Sequence, residues 1–247
     1  MKNSIFITKS IAAFRQTTFC NMNRYSRNEQ MLSREENLRL RGFRIAIVGC
    51  GGLGGYLIEQ FARLGIGHLS LIDGDVFDET NLNRQLLSHP GNLGQPKAME
   101  AKQRVSLINP DVTVEAHHVM LEASNAASLL QDHDLVCDAL DNISSRYCTE
   151  QAAEALRIPM IHAAIAGWHA QVATIMPGDK LLEKIYPVGG HKGAETVFGN
   201  PSFTPALAAS LQVAEALKVL LNKEGVLRNK ILVINLLDHQ YEVVDLP

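Results

Sequence analysis

The chain has 247 residues, of which 46% are hydrophobic and 20% charged. That length buries a core without disulfide or metal staples, and the composition excludes disordered, collagen-like and low-complexity chains. Twenty-three Lys plus Arg against 26 Asp plus Glu leave a net charge of −3, so no overall positive field is present to hold a nucleic acid.

Residues 1–28 carry Lys2, Lys9, Arg15, Arg24 and Arg27, and no acid precedes Glu29. Such acid-poor stretches occur in transit peptides, but the apolar run 5–7 is too short for a secretory core. Residues 1–21 are read as a flexible N-terminal arm or a misassigned start, with Met22 as the true start. The remaining residues, 22–247, are expected to form one domain with a cytoplasmic location. No apolar run approaches the roughly 20 residues needed to span a bilayer.

Residues 44–48 form a short β-branched run ending in glycine, and 53–64 follow with Leu53, Leu57, Ile58, Phe61 and Leu64 at helical spacing. Residues 68–73 predict a second strand. A helix is predicted over 97–108, entered through Pro96 and stopped at Asn109-Pro110. A strand at 112–117, a helix at 123–131, a strand at 134–138 and a helix at 145–156 continue the alternation. Strands follow at 159–163 and 171–175. Residues 178–203 hold five glycines and two prolines without a period, which predicts a long irregular loop. A helix at 204–221 and a hairpin of 231–236 with 241–245 close the chain. The fold class is α/β: a Rossmann-like, doubly wound, mostly parallel sheet with a C-terminal antiparallel extension.

Gly49-Cys-Gly51-Gly52-Leu-Gly54 fits GxGxxG, after a predicted strand and opening a predicted helix. The glycines admit a phosphate to the backbone, and the helix start offers unpaired N–H groups to its charge. Asp73, 19 residues beyond Gly54, stands where a carboxylate receives ribose hydroxyls. This much fits NAD or ATP alike. Asp75, Asn81, Arg84, Gln85 and Lys97 follow, and Asp141 and Asn142 come after the fourth strand. Hydride transfer has little use for two cations and further carboxylates beside a pyrophosphate. A triphosphate needs them, since Arg and Lys neutralise its charge and a carboxylate holds Mg²⁺.

Arg24-Tyr-Ser-Arg27, the glycine loop, Leu71-Ile-Asp-Gly-Asp75, Asn81-Leu-Asn-Arg-Gln85, Gly94-Gln-Pro-Lys97, Ile108-Asn-Pro110 and Asp138-Ala-Leu-Asp-Asn142 occur in that order. Together they resemble the ThiF/MoeB/HesA adenylyltransferases, relatives of ubiquitin-activating enzymes, from about Arg24 to the C-terminus. The resemblance implies a homodimer that uses ATP and Mg²⁺ to adenylate the C-terminal glycine of a ubiquitin-like sulfur carrier of the ThiS/MoaD type, in thiamine, molybdopterin or related biosynthesis. It divides the domain into a nucleotide-binding half (43–142) and a carrier-binding half (159–247). Gly49, Gly51, Gly52 and Gly54 would pack against the nucleotide, with Asp73 on the ribose and Asp75 near it. Asn81, Arg84 and Lys97 would meet the phosphates with Gln85 beside them. Asp141 would bind Mg²⁺ with Asn142 adjacent, and Arg27 would reach into the partner subunit's site. Arg27, Arg84, Lys97 and Asp141 form the expected catalytic set.

The chain departs from that pattern in two ways. Cys20, Cys50, Cys137 and Cys148 form no CxxC pair, so no zinc is expected. The 178–203 stretch contains no cysteine, so sulfur would come from a separate donor. Cys50, Cys137, Cys148, His162 and His169 are read as structural, and Trp168 as packing beside the loop. Three alternatives stay open: adenylation of a peptide C-terminus or a tRNA-modification intermediate, an NAD-dependent oxidoreductase, and a scaffold that does not turn over.

Overall fold

A computed structural model describes residues 22–186 and 195–246. Eight strands form one sheet: β1 (Arg44–Val48), β2 (His68–Ile72), β3 (Thr113–His117), β4 (Leu135–Asp138), β5 (Met160–Ala166), β6 (His169–Ile175), β7 (Lys230–Asn235) and β8 (Gln240–Asp245), in the order β3-β2-β1-β4-β5-β6-β7-β8. The pairs from β3 to β5 are parallel and those from β5 to β8 antiparallel. The α/β architecture expected from the sequence is therefore observed.

The helices are α1 (Arg34–Leu40), α2 (Gly52–Leu64), α3 (Lys97–Ile108), α4 (Ala126–Leu130), α5 (Ile143–Leu156), α6 (Leu182–Ile185), α7 (Glu195–Phe198) and α8 (Phe203–Leu220). Strand β1 shows why the sheet is wound on both sides. Ile45 and Ile47 join the core beneath α2, α3 and α8, whereas Ala46 and Val48 join the core beneath α4 and α5. Both sets are fully buried, which removes the polar alternation of a one-sided strand. Each buried isoleucine contributes on the order of 1.5–3 kcal/mol. Helix α2 buries Leu57, Ile58 and Phe61 and stops at Gly65, whose φ of 81° is the left-handed cap that glycine adopts without penalty.

The differences from expectation are local. Within 178–203, the irregular stretch contains the helical turns α6 and α7, too short to show a period, while 187–194 lie outside the described residues. The helix expected at 123–131 shrinks to α4, because Asn125 turns back to accept the Glu122 N–H at 2.8 Å. Strand β5 runs three residues beyond 163 and turns through Gly167 (φ 56°) straight into β6. Helix α1 was not foreseen, although Ser33 and Glu36 cap it reciprocally. Residues Met22–Asn28 form a 3₁₀ helix, and residues 1–21 lie outside the described set. No described helix is long and apolar enough to cross a membrane.

Candidate active site

A cleft opens at the carboxyl ends of β1, β2 and β4. Strand order reverses between β1 and β4, the position where open α/β sheets bind ligands. Gly49, Gly51 and Gly52 form its floor, Asp73, Asp75, Arg84, Gln85 and Lys97 one side, and Asp141, Asn142 and Arg146 the other. Val119, Met120 and Leu121 add an apolar wall.

The glycines have different causes. Gly49 has φ 98°, and a Cβ there would lie 2.5 Å from the Ala139 carbonyl oxygen. A Cβ on Gly54 would lie 1.9 Å from the Gly49 oxygen. Gly54 is buried inside α2 and lies off the cleft wall, so its missing side chain lets helix and loop touch. Gly52 is the opposite case. Its Cβ would meet only Pro205 at 3.7 Å and Arg84 at 3.9 Å, both ordinary contacts. The protein's own packing does not require glycine there, and the space faces the cleft. Among the described residues no side chain caps the start of α2, which leaves its first N–H groups available to an anion.

Asp73 braces this floor. Its Oδ2 accepts the Cys50 N–H at 2.6 Å and its Oδ1 the Asp75 N–H at 2.8 Å. Burial pushes its carboxyl up, and those two donors pull against the rise. Lys97, buried, places Nζ 3.0 Å from Asp75 Oδ2. Arg84 donates from Nη1 to the Thr80 carbonyl and to Asn83 Oδ1 at 3.0 and 2.9 Å. Gln85 is buried, and its Oε1 has no hydrogen-bond partner among the described residues. Asp141 is exposed at the end of β4 and has no hydrogen-bond or ion-pair partner among the described residues. A free carboxylate of this kind suits Mg²⁺, which is held by one or two carboxylates plus phosphate oxygens and keeps its waters. Among the described residues no cluster of three or more His, Cys, Asp or Glu side chains forms an all-protein metal cage.

The structure thus brings most of the expected residues to one cleft. Asn81 is buried beside it, where its Oδ1 accepts the Asp78 N–H at 3.2 Å. Asn142 faces the cleft while its Oδ1 caps α5 through the Ser145 N–H at 2.7 Å. Arg27 lies exposed on the N-terminal 3₁₀ helix and does not line this chain's cleft. Cys50 and Cys137 are buried, and burial pushes both thiols up. Trp168 is half-exposed, with its ring 4.7 Å from that of Phe203.

Sequence reasoning missed a largely buried cluster behind the Asp141 loop. Asp138 Oδ2 accepts from His162 Nδ1 at 2.6 Å, and His162 Nε2 lies 3.0 Å from the Tyr186 hydroxyl. That hydroxyl also accepts from Arg146 Nη1 and, at 2.9 Å, from Gln171 Nε2. Burial lowers the His162 pKa and lifts the Tyr186 phenol to about 12. The ring is therefore neutral and the phenol protonated at physiological pH. The only local signal was Asp138, at the head of the 138–142 motif.

The chain matches the ThiF family over residues 25–247. It is 32% identical over 228 residues to the SAMP-activating enzyme E1 of Haloferax volcanii, covering 90% of this chain and 84% of that protein. It is 37% identical over 195 residues to the sulfur carrier protein adenylyltransferase of Thermus thermophilus, covering 74% and 71%. The crystal structure of E. coli MccB with ATP shares the fold, with a TM-score of 0.76 at 21% identity, covering 91% of this chain and 71% of that one. The motifs and their common cleft have their explanation in descent: the chain belongs to the ThiF family, within the ThiF/MoeB/HesA group of adenylyltransferases.

Proposed function

We propose that the chain adenylates the C-terminal glycine carboxylate of a ubiquitin-like sulfur carrier with ATP and Mg²⁺. The observation that carries this reading is the convergence of Arg84, Lys97 and Asp141 on an uncapped, glycine-floored helix start. The named activity of the Thermus thermophilus relative supports it. In this reading the N–H groups at the start of α2 and the Arg84 and Lys97 side chains bind the triphosphate, and Asp73 holds the ribose. Asn81 supports the phosphate side from beneath, with Gln85 beside it. Val119 and Met120 offer the base an apolar wall. Mg²⁺, held through Asp141 with Asn142 adjacent, would neutralise phosphate charge.

The carrier carboxylate is already ionised near neutral pH, so no side-chain base is needed. Its oxygen bonds to the α-phosphorus, the bond from that phosphorus to the bridging oxygen breaks, and pyrophosphate leaves with the electron pair. Lys97 and Arg84 reduce the repulsion between the two anions and stabilise the leaving group. Arg27 of a second copy would complete the charge set in a homodimer, and a separate donor would supply sulfur to the acyl-adenylate.

The test is carrier-dependent ATP–pyrophosphate exchange, using the full chain with carriers ending in Gly-Gly. Asp141→Ala is expected to lower exchange by about 100-fold or more without changing thermal stability. Exchange that is absent with every carrier, or unaffected by Asp141→Ala, overturns the reading.

A further inference from the structure

We propose that Tyr186 and His162 are positioning residues for the cation at Asp141, an inference that rests on the reading of Asp141 given above. The loop leaving β4 reaches Asp141 through Leu140, whose backbone is held at both ends. The Leu140 N–H donates to Asp138 Oδ1 at 2.9 Å. Its carbonyl accepts from Arg146 Nε at 3.2 Å and Nη2 at 2.5 Å. The backbone leading into Asp141 is thus held by two charged side chains, both buried.

Those two side chains are held in turn from behind, and proton counting fixes the direction of each bond. Arg146 and the Gln171 amide nitrogen only donate, so the single Tyr186 proton goes to His162 Nε2. His162 then carries its own proton on Nδ1 and donates it to Asp138. Asp138, His162, Tyr186, Arg146 and the Leu140 backbone close a ring in which each polar group has a partner. Tyr186 enters this ring from a separate segment. The next residue of α5, Tyr147, anchors that segment: its hydroxyl lies within hydrogen-bond distance of the Leu182 and Tyr186 carbonyls, at 3.2 and 3.1 Å, and its one proton is shared between them. Without the phenol, Arg146 loses one partner and His162 another. Asp138 Oδ2, already 3.8 Å from Arg146 Nε, becomes the nearest alternative for the guanidinium. Moving there releases the Leu140 carbonyl and slackens the aim of Asp141.

The experiment titrates Mn²⁺, read by electron paramagnetic resonance, into the full chain saturated with a non-hydrolysable ATP analogue. Tyr186→Phe is expected to weaken Mn²⁺ about tenfold, as loss of an outer-shell partner does, while metal-free affinity for the analogue stays unchanged. His162→Asn, which keeps a donor for Asp138 but leaves the Tyr186 proton unaccepted, is expected to shift Mn²⁺ affinity in the same direction. It gives the readout should Tyr186→Phe not fold. A folded Tyr186→Phe with Mn²⁺ affinity within about twofold of the unsubstituted chain overturns the proposal and leaves the Asp141 reading standing. Mn²⁺ binding that Asp141→Ala does not weaken overturns both.

Discussion

The two halves of the sheet solve the same folding problem in different ways. Strands β3, β2, β1 and β4 run parallel, and β2, β1 and β4 are buried along almost their whole length with helices on both faces of the sheet. Strands β6, β7 and β8 are antiparallel, and β8 is exposed at every residue. The cleft's floor and most of its polar groups belong to the parallel half, where the strand ends are fixed by packing on two sides. The charged groups of the cleft are thus carried by the strand ends that packing holds on both sides.

Glycine substitutions test this contrast most severely. Gly54→Ala drives a methyl group into the Gly49 carbonyl and is expected to cost about 3 kcal/mol or more. Gly225→Ala, before β7, has φ 76° but nothing within 4 Å, so only backbone strain of about 1–2 kcal/mol applies. Urea unfolding of the two variants compares them directly, and equal losses would break the distinction. Core truncation should give the next largest difference. Ile47→Ala, in the middle of β1, is expected to lose about 2–5 kcal/mol, whereas Val243→Ala on β8, 51% exposed, should stay within about 0.5 kcal/mol.

The smallest effect concerns pH at the seam between the halves. His162 on β5 is buried and its pKa lies below the ordinary 6.5. The unfolded chain therefore binds a proton that the folded chain refuses, and stability falls as pH drops from about 6.5 toward the depressed native value. His68 and His133, also lowered by burial, act in the same direction from the parallel half. Denaturation midpoints measured across this range should decline toward acid, less steeply in His162→Asn. An unchanged slope in that variant would assign the effect to the other two.

How much was legible in the sequence follows from the same contrast. The parallel strands were readable because burial on both faces leaves runs such as Arg44–Val48 between turn residues, and the glycine loop, Asp73 and Asp141 sit at their ends. The cluster behind Asp141 was not. Arg146 and Tyr186 are 40 residues apart, and only the docking of the Tyr186 segment makes them neighbours. Helix α1 escaped because REENLRL carries no apolar stripe, and its signal lay in the cap. Gly54 looked like a phosphate-contacting residue because a spacing motif does not distinguish a glycine that faces a ligand from one that lets two backbones touch.

Tyr25 is buried, its hydroxyl accepts from Asn109 Nδ2 at 2.7 Å, and its ring lies where a Cβ on Gly65 would stand. The segment that carries Arg27 is therefore moored two residues upstream to the body of the fold. A guanidinium on such a mooring does not search space as the end of a tether would. Any second active centre it serves has to be delivered whole, by docking of one folded subunit on another, and the geometry of that encounter would be set by subunit shape and not by linker length.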